Sequence, residues 1–133
     1  MPDALPDLSR FELQCLRMLW DRGDASAKEI HESLEDAPSY STVRTIFQRL
    51  EDKGAVERIG KDGRAVVYRA RVPKGAMIRK EVAQFLNTLF DGAAAPLVSH
   101  LADMRELDLA DLRALEKALE ESTDDAPAEE PSR

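Results

Sequence analysis

The stretch that decides the fold is residues 40–72, YSTVRTIFQRLEDKGAVERIGKDGRAVVYRARV. Its hydrophobic period changes once. Val43, Ile46, Phe47 and Leu50 recur at helical spacing, which predicts a helix capped by Ser39 and stopped by Gly54. The opposite face of that helix carries Ser41, Thr42, Arg44, Thr45, Gln48 and Arg49. Ala55 to Ile59 is then a short apolar-leaning run, and Gly60-Lys61-Asp62-Gly63 reads as a turn. Ala65 to Val72 alternates: Val66, Tyr68, Ala70 and Val72 share one side, and Val67, Arg69 and Arg71 the other. The expectation is a hairpin with one buried face and a basic tip.

Towards the N-terminus two more helices are expected. Ser9 and Glu12 stand three residues apart as a capping box, followed by Leu13, Leu16, Leu19 and Trp20 and closed by Gly23. Ser26 and Glu29 form a second box, opening a short helix with Ile30 and Leu34 that ends before Pro38. Three helices followed by a basic-tipped hairpin make a winged helix-turn-helix over residues 1–72. Pro73 and Gly75 mark a boundary. Beyond them three amphipathic helices are expected, and sixty residues of this kind cannot bury their stripes without a partner surface. The natural partner is the same segment of a second subunit. Residues 73–121 are accordingly expected to be a helical dimerisation domain, with Phe85, Leu86, Leu89, Phe90, Leu97, Leu101, Leu112 and Leu115 as its interface and supporting core. Residues 122–133 are rich in Pro, Glu and Asp and are expected to be a disordered acidic tail. The fold class is mainly α with a small β-hairpin wing.

Charge divides along the same lines. The chain of 133 residues has a formal net charge of −7, which read alone argues against a nucleic-acid binder. Residues 37–72, however, hold eight basic against four acidic residues, net +4, between flanks of −5 (four basic, nine acidic) and −6 (seven basic, thirteen acidic). A local basic excess attracts phosphate whatever the total, because screening confines each patch to about 10 Å. Other classes fall away. No apolar run approaches the roughly 18 residues of a membrane span, and the first ten residues do not read as a secretory signal. The single cysteine, Cys15, excludes an internal disulfide and a cysteine metal cluster, and reads as a packed core thiol. His31 and His100 have no ligand-spaced neighbours, and no phosphate loop or nucleophile–base pair is present. The expected protein is cytoplasmic, without metal or cofactor, and not an enzyme.

Leu8 to Leu13, Leu16, Leu19-Trp20, Tyr40 to Thr45, Arg49-Leu50, Lys53-Gly54 and Gly63 to Tyr68 follow one another in an order and spacing that resembles the penicillinase-repressor (BlaI/MecI) family over roughly residues 7–121. The resemblance implies a homodimeric bacterial transcriptional repressor that binds an inverted-repeat operator, with a membrane sensor protease system as partner in several relatives. Such repressors control antibiotic or cell-envelope stress genes. Two features depart from the family. The antibiotic-responsive members are cut at an Asn-Phe bond where this chain reads Val98-Ser-His-Leu-Ala102, and the copper-responsive branch carries paired cysteines that this chain lacks.

On this reading the third helix lies in the major groove. Ser41, Thr42 and Thr45 address base edges, Arg44 and Arg49 address phosphate or guanine, and Tyr40 is poised between phosphate contact and core edge. Lys61 and Arg64 at the wing turn reach phosphate or the adjacent minor groove, assisted by Arg58, while Arg69 and Arg71 read as solvated. The rival readings are a winged-helix protein–protein adaptor and a ligand-responsive regulator.

Overall fold

A computed structural model describes residues 5–125. Helix α1 (Arg10–Arg22) is opened by Ser9, whose hydroxyl accepts from the Glu12 N–H at 3.2 Å while the Glu12 carboxylate accepts from the Ser9 N–H at 2.8 Å. Gly23, at φ 90, ends it in the left-handed region. Strand β1 (Ala25–Ser26) leads into α2 (Ala27–Ser33), where Ser26 and Glu29 repeat the reciprocal cap. Ser39 then caps α3 (Tyr40–Asp52), and β2 (Val56–Asp62) and β3 (Ala65–Ala70) form the wing. The sheet has the order β1-β3-β2, with both pairings antiparallel.

The core lies where α1, α2 and α3 meet the sheet. Leu16, Ile30, Val43, Phe47 and Leu50 are fully enclosed, and the Phe47 ring packs on Tyr68 with centroids 5.0 Å apart. Burying a side chain of this size contributes about 1.5–3 kcal/mol. Trp20 packs at the edge of this core and donates its indole N–H to the Val72 carbonyl at 3.2 Å.

Three expectations within this region need correction. The wing turn is Gly63-Arg64 alone; Lys61 pairs with Val66 and Asp62 with Ala65, so both belong to β2. A two-residue turn with positive φ at Gly63 (66°) matches the twist of the flanking strands, and Gly60 instead serves a bulge beside Ile59. Val67 is half-buried rather than turned to solvent, because β3 is the central strand and Val67 faces Ser26 of β1. The boundary also moves. Helix α4 (Lys74–Phe90) starts just after Pro73, yet its Met77 is 1% exposed within the core described above. Two compact units divide between Val82 and Ala83, because the first turns of α4 complete the core.

The second unit holds the rest of α4 with α5 (Ala94–Asp103) and α6 (Leu109–Asp125). Phe90 sits 6.1 Å from Phe85 and 5.7 Å from the His100 ring. Asp108 and Asp111 cap α6 reciprocally, each carboxylate accepting the other's N–H at 2.8 and 3.0 Å. Helix α6 continues to Asp125, so residues 122–125 are helical and not disordered as expected. Their composition forbids a core, but extending a helix needs only one hydrogen bond per residue fixed. The remainder of the expected tail, 126–133, lies outside the described residues. Among the described residues no helix is long and apolar enough to cross a membrane.

Candidate nucleic-acid interface

Helix α3 separates its two faces cleanly. Val43, Ile46, Phe47 and Leu50 are buried, and Ser41, Thr42, Arg44, Thr45, Gln48 and Arg49 are all exposed. This follows from 3.6-residue periodicity, with the apolar stripe held by the core and the polar face left outward. The hydroxyls at its N-terminus are mutually ordered. Ser39 Oγ lies 3.0 Å from both Ser41 Oγ and Thr42 Oγ1, and Thr45 donates to the Ser41 carbonyl at 3.1 Å. With its proton used in that bond, the exposed Thr45 hydroxyl is left to accept from a base, and its methyl is of the kind that contacts a thymine methyl.

Tyr40 begins the helix, 41% exposed. The Arg44 guanidinium stands 5.9 Å over its ring, and His31 meets it edge-on at 6.0 Å. His31 Nε2 is 2.9 Å from the Pro38 carbonyl, which can only accept, so that nitrogen carries the proton. Tyr40 thus braces Arg44 from one side and the α2–α3 loop from the other.

The wing completes a cleft of about 360 Å³. Tyr40, Arg44 and Gln48, on successive turns of α3, form one wall, and Arg58, Arg64 and Tyr68 of the wing form the other. Of the residues expected to bind DNA, the structure brings Tyr40, Arg44, Arg58 and Arg64 together here. Ser41, Thr42, Thr45 and Arg49 lie outside the cleft lining on the same helix, and Lys61 on β2. Gln48 enters the cleft without having been singled out. Its spacing of four from Arg44 was the available signal.

The cations differ in how committed they are. Arg58 Nε donates to Glu51 Oε1 at 3.0 Å, and this bond holds its guanidinium above the usual range. Arg69, expected to be solvated, is exposed but paired with Asp24 at 2.9 Å. Arg49, Lys61 and Arg64 make no ion pair among the described residues, leaving their charge available for phosphate. Burial pushes the Tyr68 phenol up, so its hydroxyl remains a neutral donor beside Arg58.

Cys15 sits in the core, as expected of a packed thiol. Burial, and then the Glu12 charge, raise the Cys15 thiol to about 11, and its side chain is fully enclosed. Among the described residues no cluster of His, Cys, Asp or Glu could hold a metal ion. In the second unit Phe85, Leu89, Leu112 and Leu115 are 43–61% exposed, while Leu86, Phe90, Leu97 and Leu101 are half-buried. No residue of α5 is buried.

The methicillin resistance regulatory protein MecI of Staphylococcus aureus strain N315 is 26% identical over 121 residues, covering 90% of this chain and 98% of that one. The solution structure of the DNA binding domain of the repressor BlaI is 27% identical over 54% of this chain and 89% of that one, with a TM-score of 0.48. A mutant of MarR from E. coli, complexed with operator DNA, shares the fold, with a TM-score of 0.51 and 20% identity over 86% of this chain and 75% of that one. Residues 8–121 match the penicillinase repressor family. This chain belongs to that family of DNA-binding transcriptional repressors.

Proposed function

We propose that the chain is a homodimeric, cytoplasmic repressor that places α3 in the major groove and the β2–β3 wing on the flanking backbone of an inverted-repeat operator. The observation that carries this reading is the cleft between α3 and the wing, lined by both Arg44 and Arg64, on the helix that also exposes the ordered hydroxyls of Ser41, Thr42 and Thr45. Ser41 and Thr42 address base edges. Arg64, Lys61 and Arg49 neutralise phosphates, and Arg44, steadied by Tyr40, serves either.

The apolar faces of α4, α5 and α6 support dimerisation through Phe85, Leu89, Leu112 and Leu115, which are too exposed for an isolated chain. A two-fold dimer presents two α3 helices to half-sites about one duplex turn apart. Tethering raises the apparent affinity by on the order of 10²–10⁴. The acidic flanks confine binding to residues 37–72 and lower non-specific affinity. The similarity to MecI, a methicillin resistance regulatory protein, supports a regulon of antibiotic-response genes, and the family resemblance adds cell-envelope stress genes and a membrane sensor. The sequence Val98-Ser-His-Leu-Ala102 supports induction by something other than an Asn-Phe cleavage.

Footprinting the purified protein on fragments of its source genome tests the reading. The expected result is protection of an inverted repeat with half-sites one turn apart. Uniform weak retardation of every fragment, with no protected repeat, would overturn it.

A further inference from the structure

Residues 5–7 precede α1 and belong to no element, yet two lysines from different helices converge on them. Lys80 of α4 donates from Nζ to the Leu5 carbonyl at 3.1 Å, the Pro6 carbonyl at 2.8 Å and Asp7 Oδ1 at 2.7 Å. An ammonium has three protons, so Lys80 commits all of them to this segment. Lys53 donates to the Asp7 carbonyl at 2.9 Å and to Glu12 Oε1 at 2.7 Å. Leu5 and Leu8 add partly buried contacts with the core. Asp7 itself is 91% exposed, so burial does not explain its place. The lysines hold it there.

The position of Lys53 gives this arrangement its consequence. It is the C-cap of α3, its N–H donating to the Arg49 carbonyl at 2.9 Å, and the chain enters β2 at Val56, directly afterwards. Fixing Lys53 therefore fixes both the end of the DNA-facing helix and the root of the wing. At the other end, Lys80 lies one helical turn from Met77, which is buried in the same core, so the two share the face of α4 turned to this unit.

We propose that Lys80 and Lys53 are positioning residues for DNA recognition: through the strap at residues 5–7 they set the angle between α3 and the wing, and so the width of the cleft that grips the duplex. This rests on the operator-binding reading above. Neither ammonium lines the cleft, and both act through Asp7 and Glu12. A change at Lys80 therefore alters the fit to a specific site while leaving the phosphate-facing charges in place.

The test is a titration of the full chain and its Lys80→Met and Lys80→Arg variants against two duplexes of about three helical turns. One carries the footprinted inverted repeat and the other a scrambled sequence. Lys80→Met is expected to weaken binding to the repeat by about threefold to tenfold, the usual scale for residues that couple to a site without touching it. Affinity for the scrambled duplex and the salt dependence stay unchanged, and Lys80→Arg restores most of the loss. A merely structural role predicts equal losses on both duplexes. Equal binding of the repeat by Lys80→Met and the parent would overturn the inference alone. So would a salt slope lowered by one contact, which would make Lys80 a phosphate ligand. A parent that prefers neither duplex would overturn the operator reading and this inference with it.

Discussion

Replacing Lys53 by Met removes a charge while keeping most of the stem, and it leaves Glu12 with little to face. The Glu12 side chain is 3% exposed, and its Oε1 accepts from Lys53 Nζ at 2.7 Å and from the Ser9 N–H at 2.8 Å. Removing one partner of a buried pair costs about 3–5 kcal/mol when the other charge is left uncompensated. The Lys53 side chain is 39% exposed, so water reaches its end of the pair and the figure falls to about 2 kcal/mol. For a unit of this size that lowers the Tm by on the order of 10 °C. The sign with pH is also determined. Burial pushes the Glu12 carboxyl up, but the hydrogen bonds from Lys53 and Ser9 and the Lys53 charge outweigh it, so the group is held below its ordinary value. The unfolded chain therefore binds the proton more readily. The contribution is fully present above the unfolded pKa of about 4.3 and is lost as pH falls through the folded value. Without Lys53 only the Ser9 hydrogen bonds oppose burial, so that acid-labile term shrinks. Urea unfolding followed by Trp20 fluorescence should show a gap of about 2 kcal/mol between parent and Lys53→Met at pH 7, closing on acidification below about pH 4. A gap under about 0.5 kcal/mol at pH 7, or one unchanged in acid, would refute the reasoning.

Other outcomes follow from the same structure. Cys15, raised from 9.0 to about 11, should react with a disulfide reagent about 100-fold more slowly than a small thiol at pH 8; a rate within a few-fold would show that the α1 core opens. Asp108→Ala removes one half of the α6 cap and should cost the second unit about 1 kcal/mol in thermal unfolding, whereas an unchanged transition would mean that α6 does not need its cap. Phe85→Asp places a charge on the apolar face of α4 and should yield monomers in sedimentation while weakening apparent operator affinity by on the order of 10²-fold or more. A dimer that survives this change would move the interface elsewhere.

What could be read from the sequence was what is local. The caps at Ser9, Ser26 and Ser39 are decided within three residues, and each opens a helix where expected. The two faces of α3 follow from a single period. Strand β1 was out of reach because two residues, Ala25 and Ser26, carry no periodicity; it exists only because Tyr68 and Val67 offer partners. The glycines at 60 and 63 look alike in sequence, and only the pairing with β3 assigns one to a bulge and the other to the turn. The same limit applies to the charges. Nothing local distinguishes Arg58, held by Glu51 across the α3–β2 junction, from Arg64, which is unpaired among the described residues. Lys53 finds Glu12 across 41 residues and Lys80 finds the strap across more than 70, contacts that tertiary folding alone creates. Pro73 looked like a domain boundary, and the buried Met77 moves the division into α4.

The central claim is that the wing and α3 together neutralise duplex phosphates, and Arg64 tests it most directly because it is exposed and contributes nothing to the core. Fluorescence anisotropy of a labelled duplex carrying the inverted repeat, titrated at several salt concentrations, gives the dependence of log K on log salt for the parent and for Arg64→Ala. The expected result is a steep negative slope for the parent, and for Arg64→Ala weaker binding with a slope shallower by about 0.9 for each arm of the dimer. A parent affinity that does not change with salt, or an Arg64→Ala slope identical to that of the parent, would contradict it.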